Sequence, residues 1–243
     1  MINQHLFDDI IEKAEEVKSK SRRPVAVFDL DGTLFVYTPR VKQVLLDALD
    51  GKEDQFPGIK TLIENIPHTS YEYLVVDTLK KYDISMPGLE DHLLTFWERW
   101  FFDNKYIKHD YPLPGAVEFV NKLSENGIFI VYLTGRDWPR MGKGTEESLI
   151  KSGFPMDKNN SKLIMKPRFE DDNWAHKNRS INEINVLGDV VAAFDNEPGE
   201  ANILADNFPS AVVVMVHNIH SPGAPPLRES LRHIENFNDG YLK

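Results

Sequence analysis

The sequence of 243 residues is long enough for one large domain, or for a domain that carries an insertion. Its 41% hydrophobic residues can form a sizeable core, and its net charge of −10 disfavours non-specific binding to nucleic acids or anionic membranes. The absence of cysteine excludes disulfides, thiolate zinc sites and a cysteine nucleophile.

The first twenty residues are polar, and their apolar positions follow a helical spacing. Leu6, Ile10 and Val17 predict an amphipathic helix over residues 3–20. The segment lacks the apolar centre of a signal peptide, and no run in the chain reaches transmembrane length. We therefore expect a cytoplasmic protein with no membrane partner.

Four short, almost continuously apolar segments predict buried strands, and a fifth segment is weaker. Continuous rather than alternating apolar runs are typical of parallel strands that are covered on both faces. The four are residues 25–30, 128–135, 190–195 and 211–216, and the weaker one is 162–166.

Helical patterns separate these strands. They cover residues 114–127, 144–153 and 176–188, and the first of them ends at Gly127, a favourable residue for closing a helix. A repeated strand–helix–strand order predicts an α/β fold with a doubly wound, mostly parallel sheet.

Residues 37–111 interrupt this order with a series of helix-like patterns. Some seventy residues exceed what a crossover between two strands requires. We therefore predict that this helical segment, residues 37–111, is an inserted cap. Residues 1–36 and 112–243 would then form the α/β core.

Polar residues follow the predicted strands at the points where they end. Because the carboxyl ends of parallel strands meet at one edge of a sheet, we expect these residues to lie together. They are Asp29, Asp31 and Gly32 after the first strand, Thr134 and Gly135 at the second, Asp195 and Asn196 after the 190–195 strand, and the two lysines Lys166 and Lys177.

These residue types suggest a phosphate-handling site. Clustered carboxylates are stable together when a cation lies between them, and oxygen ligands of this kind favour Mg²⁺. Asp29 can act as a nucleophile, and Asp31 can give and take a proton. Backbone N–H groups at Gly32 and Gly135 can bind an anion, and a lysine can neutralise charge during phosphoryl transfer.

Three of these segments resemble motifs of the haloacid dehalogenase (HAD) superfamily, most of whose members are Mg²⁺-dependent phosphatases. They are "VFDLDGTLF", "IVYLTGR" and "AAFDNEP", and they occur in the expected order, each at a strand end. Members of this superfamily often carry a helical cap after the first motif, where residues 37–111 lie.

The resemblance implies a role for each matching residue. Asp29 is similar to the nucleophile and metal ligand, and Asp31 to the general acid/base whose backbone carbonyl also binds the metal. Thr134 is similar to the residue that hydrogen-bonds the phosphate. The second aspartate favours a phosphatase, because dehalogenases of the superfamily lack it.

Two assignments stay open at this point. In the fourth motif, Asp195 is followed by Asn196, as in small phosphatases of the RNA polymerase C-terminal domain, and either residue can be the direct metal ligand. The catalytic lysine is Lys177, as in the phosphatase half of polynucleotide kinase-phosphatases, or alternatively Lys166, which precedes a proline as in the familiar Lys-Pro form.

The predicted function is that of a phosphatase that hydrolyses a small phosphorylated metabolite through an aspartyl-phosphate, with Mg²⁺ as cofactor. The alternatives are a phosphomutase or phosphotransferase that uses the same site, and a catalytically inactive binding protein with the HAD fold. The acidic balance predicts no nucleic-acid partner. The sequence specifies neither the substrate nor the oligomeric state.

Overall fold

The computed structural model of the protein describes residues 3–238. Its strands belong to two sheets, one of six strands and one of two. In chain order they are β1 (Pro24–Phe28), β2 (Phe35–Val36), β3 (Tyr111–Pro112), β4 (Phe129–Asp137), β5 (Ser161–Lys166), β6 (Asp189–Asp195), β7 (Val212–Val216) and β8 (Arg232–Ile234).

The main sheet is parallel throughout, in the order β5-β4-β1-β6-β7-β8. Helices connect and cover its strands. They are α1 (Gln4–Ser19), α2 (Thr38–Ala48), α3 (Ile59–Asn65), α4 (Val75–Lys81), α5 (Leu89–Trp100), α6 (Asn104–Ile107), α7 (Ala116–Glu125), α8 (Trp138–Ser152), α9 (Asn173–Leu187) and α10 (Pro198–Asn207), with a 3₁₀ turn at His68–Ser70.

Two apolar layers enclose the main sheet because successive side chains of a strand point to opposite faces. On one face, Phe28 and Phe194 stack with their ring centroids 4.6 Å apart and join a cluster that includes α1 and α7. On the other face, Val27 and Val131 pack with Ile184 of α9 in a second cluster, which also includes α10. The central strands are therefore buried on both sides, which explains their continuous apolar sequence.

The helical segment (residues 37–111) has an apolar cluster of its own, formed by side chains of α2 to α5 and the loops between them. Its two ends lie side by side, because Phe35 pairs with Pro112 and Val36 with Tyr111 in the antiparallel β2–β3 pair. The division of the chain into a core and a cap stays a prediction.

The predicted fold class is confirmed, and all five predicted strands of the main sheet are present. The sequence analysis missed β8, whose three residues form no apolar run, and the two-residue strands β2 and β3. Helix α8 begins at Trp138, earlier than the predicted residue 144, because Asp137 caps its first turn and accepts a hydrogen bond from the N–H of Arg140. None of the helices in residues 3–238 is both long and apolar enough to cross a membrane.

We expect Phe194→Ala to lower the free energy of unfolding by about 3–5 kcal/mol, because its ring is fully buried at the centre of the sheet. Urea denaturation measures this change. Val186→Ala on α9 is the control: its side chain is 87% exposed, and we expect a change below about 0.5 kcal/mol. Similar losses for the two variants would contradict the assigned core.

Candidate functional site

The carboxyl ends of β1, β4 and β6 bring the predicted polar residues together at one edge of the sheet. Asp29 directly follows β1, and its N–H donates to the carbonyl of Phe194 at 3.0 Å. Thr134 lies within β4, and Asp195 ends β6. All three side chains are buried. The polar residues at these strand ends therefore lie together, as predicted.

A tight turn after β1 places Asp31 and Gly32. The N–H of Gly32 donates to the carbonyl of Phe35 at 2.8 Å, and the N–H of Thr33 donates to that of Leu30 at 3.2 Å. Both donors are used within the turn in this structure, and the binding of the substrate phosphate by Gly32 stays a prediction. The backbone requires glycine here: its φ is +85°, and an added Cβ would lie 2.4 Å from Nδ2 of Asn196.

Lys177 is buried and lies at the centre of a group of carboxylates. It is the fifth residue of α9, 1% exposed, and its Nζ is 3.0 Å from Oδ1 of Asp29 and 2.6 Å from Oδ2 of Asp195. Glu200, in the first turn of α10, forms a third ion pair with Nζ. We call Asp29, Asp195, Glu200 and Lys177 the acidic group.

Burial and mutual repulsion shape the charges of the acidic group. Burial raises the pKa of Asp29 to about 6, against the attraction of Lys177, and the neighbouring charges of Glu200 and Asp31 raise it further. Burial likewise raises the pKa of Asp195 well above its usual value. Burial alone would lower the pKa of Lys177, but the attraction of the three carboxylates raises it well above its usual value. Lys177 is therefore a permanent cation here.

The alternative lysine, Lys166, does not reach the acidic group. It ends β5, and its Nζ donates to the backbone carbonyls of Phe169 at 3.0 Å and Asp171 at 2.9 Å. Burial lowers the pKa of Lys166 from its usual value. The structure thus brings Lys177 to Asp29 and assigns Lys166 to ordering the loop that precedes α9.

Asp195 and Asn196 have different surroundings. The carboxylate of Asp195 accepts from Lys177 through one oxygen and from the N–H of Glu197 at 2.9 Å through the other. Oδ1 of Asn196 accepts from the hydroxyl of Thr33 at 3.2 Å, and its Nδ2 donates to the carbonyl of Ile219 at 2.7 Å. Both side chains are therefore held firmly next to Asp29.

A second charged group surrounds Asp31. Arg136 donates from Nε and Nη2 to the two oxygens of Asp31 at 2.8 and 2.7 Å, and from Nη2 to Asp110 at 2.8 Å. Arg40, from α2, donates to Asp31 and, through Nε, to Asp110 at 3.0 Å. We call Asp31, Arg40, Arg136 and Asp110 the arginine group.

The two aspartates of the arginine group differ in their proton affinity. Burial would raise the pKa of Asp31, but the attraction of Arg136 and Arg40 holds it below its usual range. Burial raises the pKa of Asp110 to about 6, even though it lies beside the same two arginines. In the free protein Asp31 is therefore an ionised group with a low affinity for protons.

Thr134 and Gly135 lie between these two charged groups. Oγ1 of Thr134 accepts a hydrogen bond from the N–H of Arg136 at 3.2 Å, which leaves its hydroxyl proton for another acceptor. An added Cβ at Gly135 would lie 2.9 Å from the amide of Asn173. Asn173 opens α9, so the absence of a side chain at residue 135 lets α9 approach β4 closely.

A cavity of about 530 Å³ opens over these residues. The helical segment forms one wall with Tyr37, Tyr73, Trp97, Phe101 and Phe102, and the sheet edge forms the other. From the sheet edge, the cavity is lined by Asp29, Asp31, Thr134, Gly135, Arg136, Asn196 and Glu200. A small molecule in this cavity would contact the predicted site and the helical segment at once.

Comparison with known families identifies the class of protein. The family model for the HAD superfamily, subfamily IIIB (acid phosphatase), matches residues 60–194, more than half of the chain. The protein belongs to this family of phosphatase-like hydrolases. The matched residues include Thr134 and Lys177, whereas Asp29, Asp31 and Asp195 lie outside them. No curated protein matches the sequence.

Solved structures agree with the fold. A HAD-superfamily hydrolase of subfamily IA from Geobacter sulfurreducens has a TM-score of 0.54 at 10% identity, covering 89% of this chain and 94% of its own. A predicted phosphoglycolate phosphatase from Haemophilus somnus has a TM-score of 0.52 at 16% identity, and the match covers 88% of this chain and 95% of that one. Protein Tyrosine Kinase A from Mycobacterium tuberculosis has a TM-score of 0.54 at 13% identity, and the match covers 87% of this chain and 93% of that one. At such identities these likenesses establish the fold alone.

Three residues of the site escaped the sequence analysis. Glu200 lies two residues beyond the segment "AAFDNEP", and only its contact with Lys177 in the fold shows that it belongs to the site. Arg40 and Asp110 lie near the two ends of the helical segment, where no motif marks them. Only the fold shows that these two residues meet.

We expect Lys177→Met to lower phosphatase turnover by at least about 100-fold, since Asp29, Asp195 and Glu200 lose their only cationic partner in the described chain. Lys166→Met is the matched control. It removes two hydrogen bonds to a loop, so we expect it to lower the melting temperature. Its turnover should fall much less than that of Lys177→Met. Steady-state kinetics with a chromogenic phosphoester compares the two. A larger loss of turnover for Lys166→Met would reverse the assignment.

Proposed function

We propose that this protein is a Mg²⁺-dependent phosphatase that hydrolyses a small phosphomonoester through an aspartyl-phosphate on Asp29. The observation that supports this most is the acidic group: a buried carboxylate nucleophile beside a lysine, at the mouth of a cavity, with Asp31 two residues further on. A cytoplasmic location stays a prediction.

The residues of the acidic group fit a divalent cation. Carboxylate oxygens of Asp29, Asp195 and Glu200 lie within 4.8 Å of one another. When all three carboxylates are ionised, the single lysine leaves an excess of negative charge, which a hard divalent cation with oxygen ligands would balance. We propose that Asp29, Asp195, Asn196 and the backbone carbonyl of Asp31 hold Mg²⁺. When bound, Mg²⁺ supplies positive charge next to the phosphoryl oxygens.

The proposed reaction has two steps. An oxygen of Asp29 attacks phosphorus, the bond from phosphorus to the ester oxygen breaks, and Asp31 gives a proton to the departing alcohol. In the second step Asp31 takes a proton from water, which attacks the phosphorus of the aspartyl-phosphate and releases inorganic phosphate. Thr134 and Lys177 stabilise the phosphoryl oxygens by hydrogen bonding and charge.

Asp31 must carry a proton in the first step, although its pKa in the free protein is low. The incoming phosphoryl group carries negative charge next to Asp31 and competes for the N–H groups of Arg136. Both effects raise the pKa of Asp31 once substrate is bound. In the second step Asp31, which has given up this proton, is ionised and acts as the base.

We expect Asp29→Asn to abolish measurable turnover and Asp31→Asn to lower it by about 10²–10⁴-fold. Wild-type protein quenched with acid during turnover should carry phosphate that is stable to acid and released by hydroxylamine. The Asp29→Asn variant should carry none. Full turnover by Asp29→Asn would overturn the nucleophile assignment.

Mg²⁺ should stabilise the protein more at pH 7.5 than at pH 5. The folded protein holds the proton of Asp29 up to about pH 6, against an ordinary pKa of 3.8, so it binds more protons than the unfolded chain between these values. Burial of Asp29 therefore lowers stability as the pH rises through this range. Protons compete with the metal below pH 6, and Mg²⁺ binds most tightly above it.

Thermal melts with and without Mg²⁺ at the two pH values measure this effect. At a Mg²⁺ concentration of about 100 Kd, the stabilisation at pH 7.5 should reach about 2.7 kcal/mol. The Asp29→Asn variant is the control and should lose most of the pH dependence. An equal Mg²⁺ effect at both pH values would contradict a metal site that includes Asp29.

A further inference from the structure

Arg40 carries an unpaired hydrogen-bond donor inside the protein. Its side chain is 0% exposed, Nε donates to Asp110 and Nη2 donates to Asp31. Nη1 is buried and has no hydrogen-bond partner among residues 3–238. A buried guanidinium N–H without an acceptor is unfavourable, so a partner supplied from outside the chain is expected.

The geometry of Arg40 is fixed by its other contacts. Besides the two aspartates, the ring of Phe101 lies against its guanidinium, 4.4 Å from the ring centroid. Arg40 also lines the 530 Å³ cavity, next to Asp31 and Arg136. The unpaired nitrogen therefore belongs to a group that is already oriented at the cavity wall, which reduces the entropy lost when a ligand binds.

A second unpaired donor lines the same cavity. Nε1 of Trp97 is buried without a hydrogen-bond partner in the described chain, and the indole stacks on Phe101 with ring centroids 4.7 Å apart. Arg40 and Trp97 are the two cavity-lining residues with a buried, unpaired side-chain polar atom in residues 3–238, and both atoms are donors. A ligand that fits this wall must therefore bring acceptors.

The position of Arg40 indicates which part of a substrate it meets. In the proposed reaction Asp31 serves the ester oxygen of the leaving group. Arg40 hydrogen-bonds Asp31 but neither Asp29 nor any other member of the acidic group. Arg40 therefore lies on the leaving-group side of the site, away from the phosphoryl group.

We propose that Arg40 binds an anionic oxygen carried by the leaving group, so that the preferred substrates are phosphomonoesters whose alcohol bears a carboxylate or a second phosphate. This inference rests on the proposed phosphatase function. An anion is favoured because a charge-assisted hydrogen bond to guanidinium is stronger than a neutral one. Trp97 donates to a further acceptor of the same leaving group.

The test compares substrate pairs that differ only in the anion. Phospholactate and isopropyl phosphate differ by one carboxylate, and 1,3-propanediol bisphosphate and propyl phosphate differ by one phosphate. We expect wild-type kcat/KM to favour one anionic member by about 10- to 100-fold, and the favoured pair identifies the anion. No preference in either pair would overturn the proposal.

The variants are compared by the ratio of kcat/KM for the two members of a substrate pair. Arg40 also contacts Asp31, so its loss lowers the turnover of every substrate, and the ratio removes this common effect. Arg40→Gln should reduce the ratio to about one. Lys42→Gln, on the same helix, removes a positive charge bound to the carbonyls of Glu64 and Ile66 and should leave the ratio unchanged. Equal losses on both members of a pair would show that Arg40 acts only through Asp31.

Trp97→Phe keeps the arginine group intact and should lower the same ratio by about three- to tenfold, which maintains the test if Arg40→Gln fails to fold. Calorimetry on the Asp29→Asn variant, with and without Arg40→Gln, measures the affinity ratio without turnover. Selective binding without hydrolysis by the wild type would refute the phosphatase function and retain the role of Arg40. Hydrolysis without selectivity for the anionic substrates would retain the phosphatase function and refute the role of Arg40.

Discussion

The site depends on the contact between one buried lysine and three carboxylates, of which Asp29 and Asp195 are buried and Glu200 is partly buried. Lys177 is 1% exposed and pairs with Asp29, Asp195 and Glu200, which come from three separate parts of the chain. The acids would repel each other without a cation, and the lysine would be costly to bury without the acids. The lysine and the carboxylates therefore stabilise one another. Their contact also fixes α9 and α10 against the ends of β1 and β6.

The arginine group extends this electrostatic arrangement to the helical segment. Arg40 and Asp110 come from near the two ends of the segment, and Asp31 and Arg136 come from the sheet edge. The segment is thus connected to Asp31 by an ion pair. Any shift of α2 against the sheet would change the surroundings of Asp31, so the position of the segment and the charge environment of Asp31 are physically coupled.

The fold was largely predictable because the buried parallel strands have a strong sequence signal. The run in β1, for example, is apolar at every residue. The beginning of α8 was not predictable from the sequence, because Gly142 and Gly144 are poor helix formers. Gly142 is accommodated by packing against Trp138, and the N–H of Gly144 donates to the side chain of Asn104 at 2.5 Å. The cap at Asp137 and the tertiary contact of Gly144 with Asn104 thus allow the helix to begin there despite the two glycines.

In the site, the order of motifs predicted that Asp29, Thr134 and Asp195 would meet. The spacing before Asp195 favoured Lys177, and the structure places that lysine beside Asp29. Arg40 and Asp110 could not be predicted, because seventy residues of helical segment separate them and only the folded chain brings them to Asp31. The catalytic roles of all these residues stay predictions.

The β2–β3 pair has a consequence for how such a protein can diversify. The chain leaves the sheet layer at Val36 and returns at Tyr111, its direct partner in the ladder. Everything between these residues can lengthen, shorten or be exchanged without altering the register of the main sheet, and closing a loop of different length changes the entropy only slowly. A change in this segment can therefore leave the main sheet intact and still alter the surroundings of Asp31, because Arg40, which pairs with Asp31, comes from the segment.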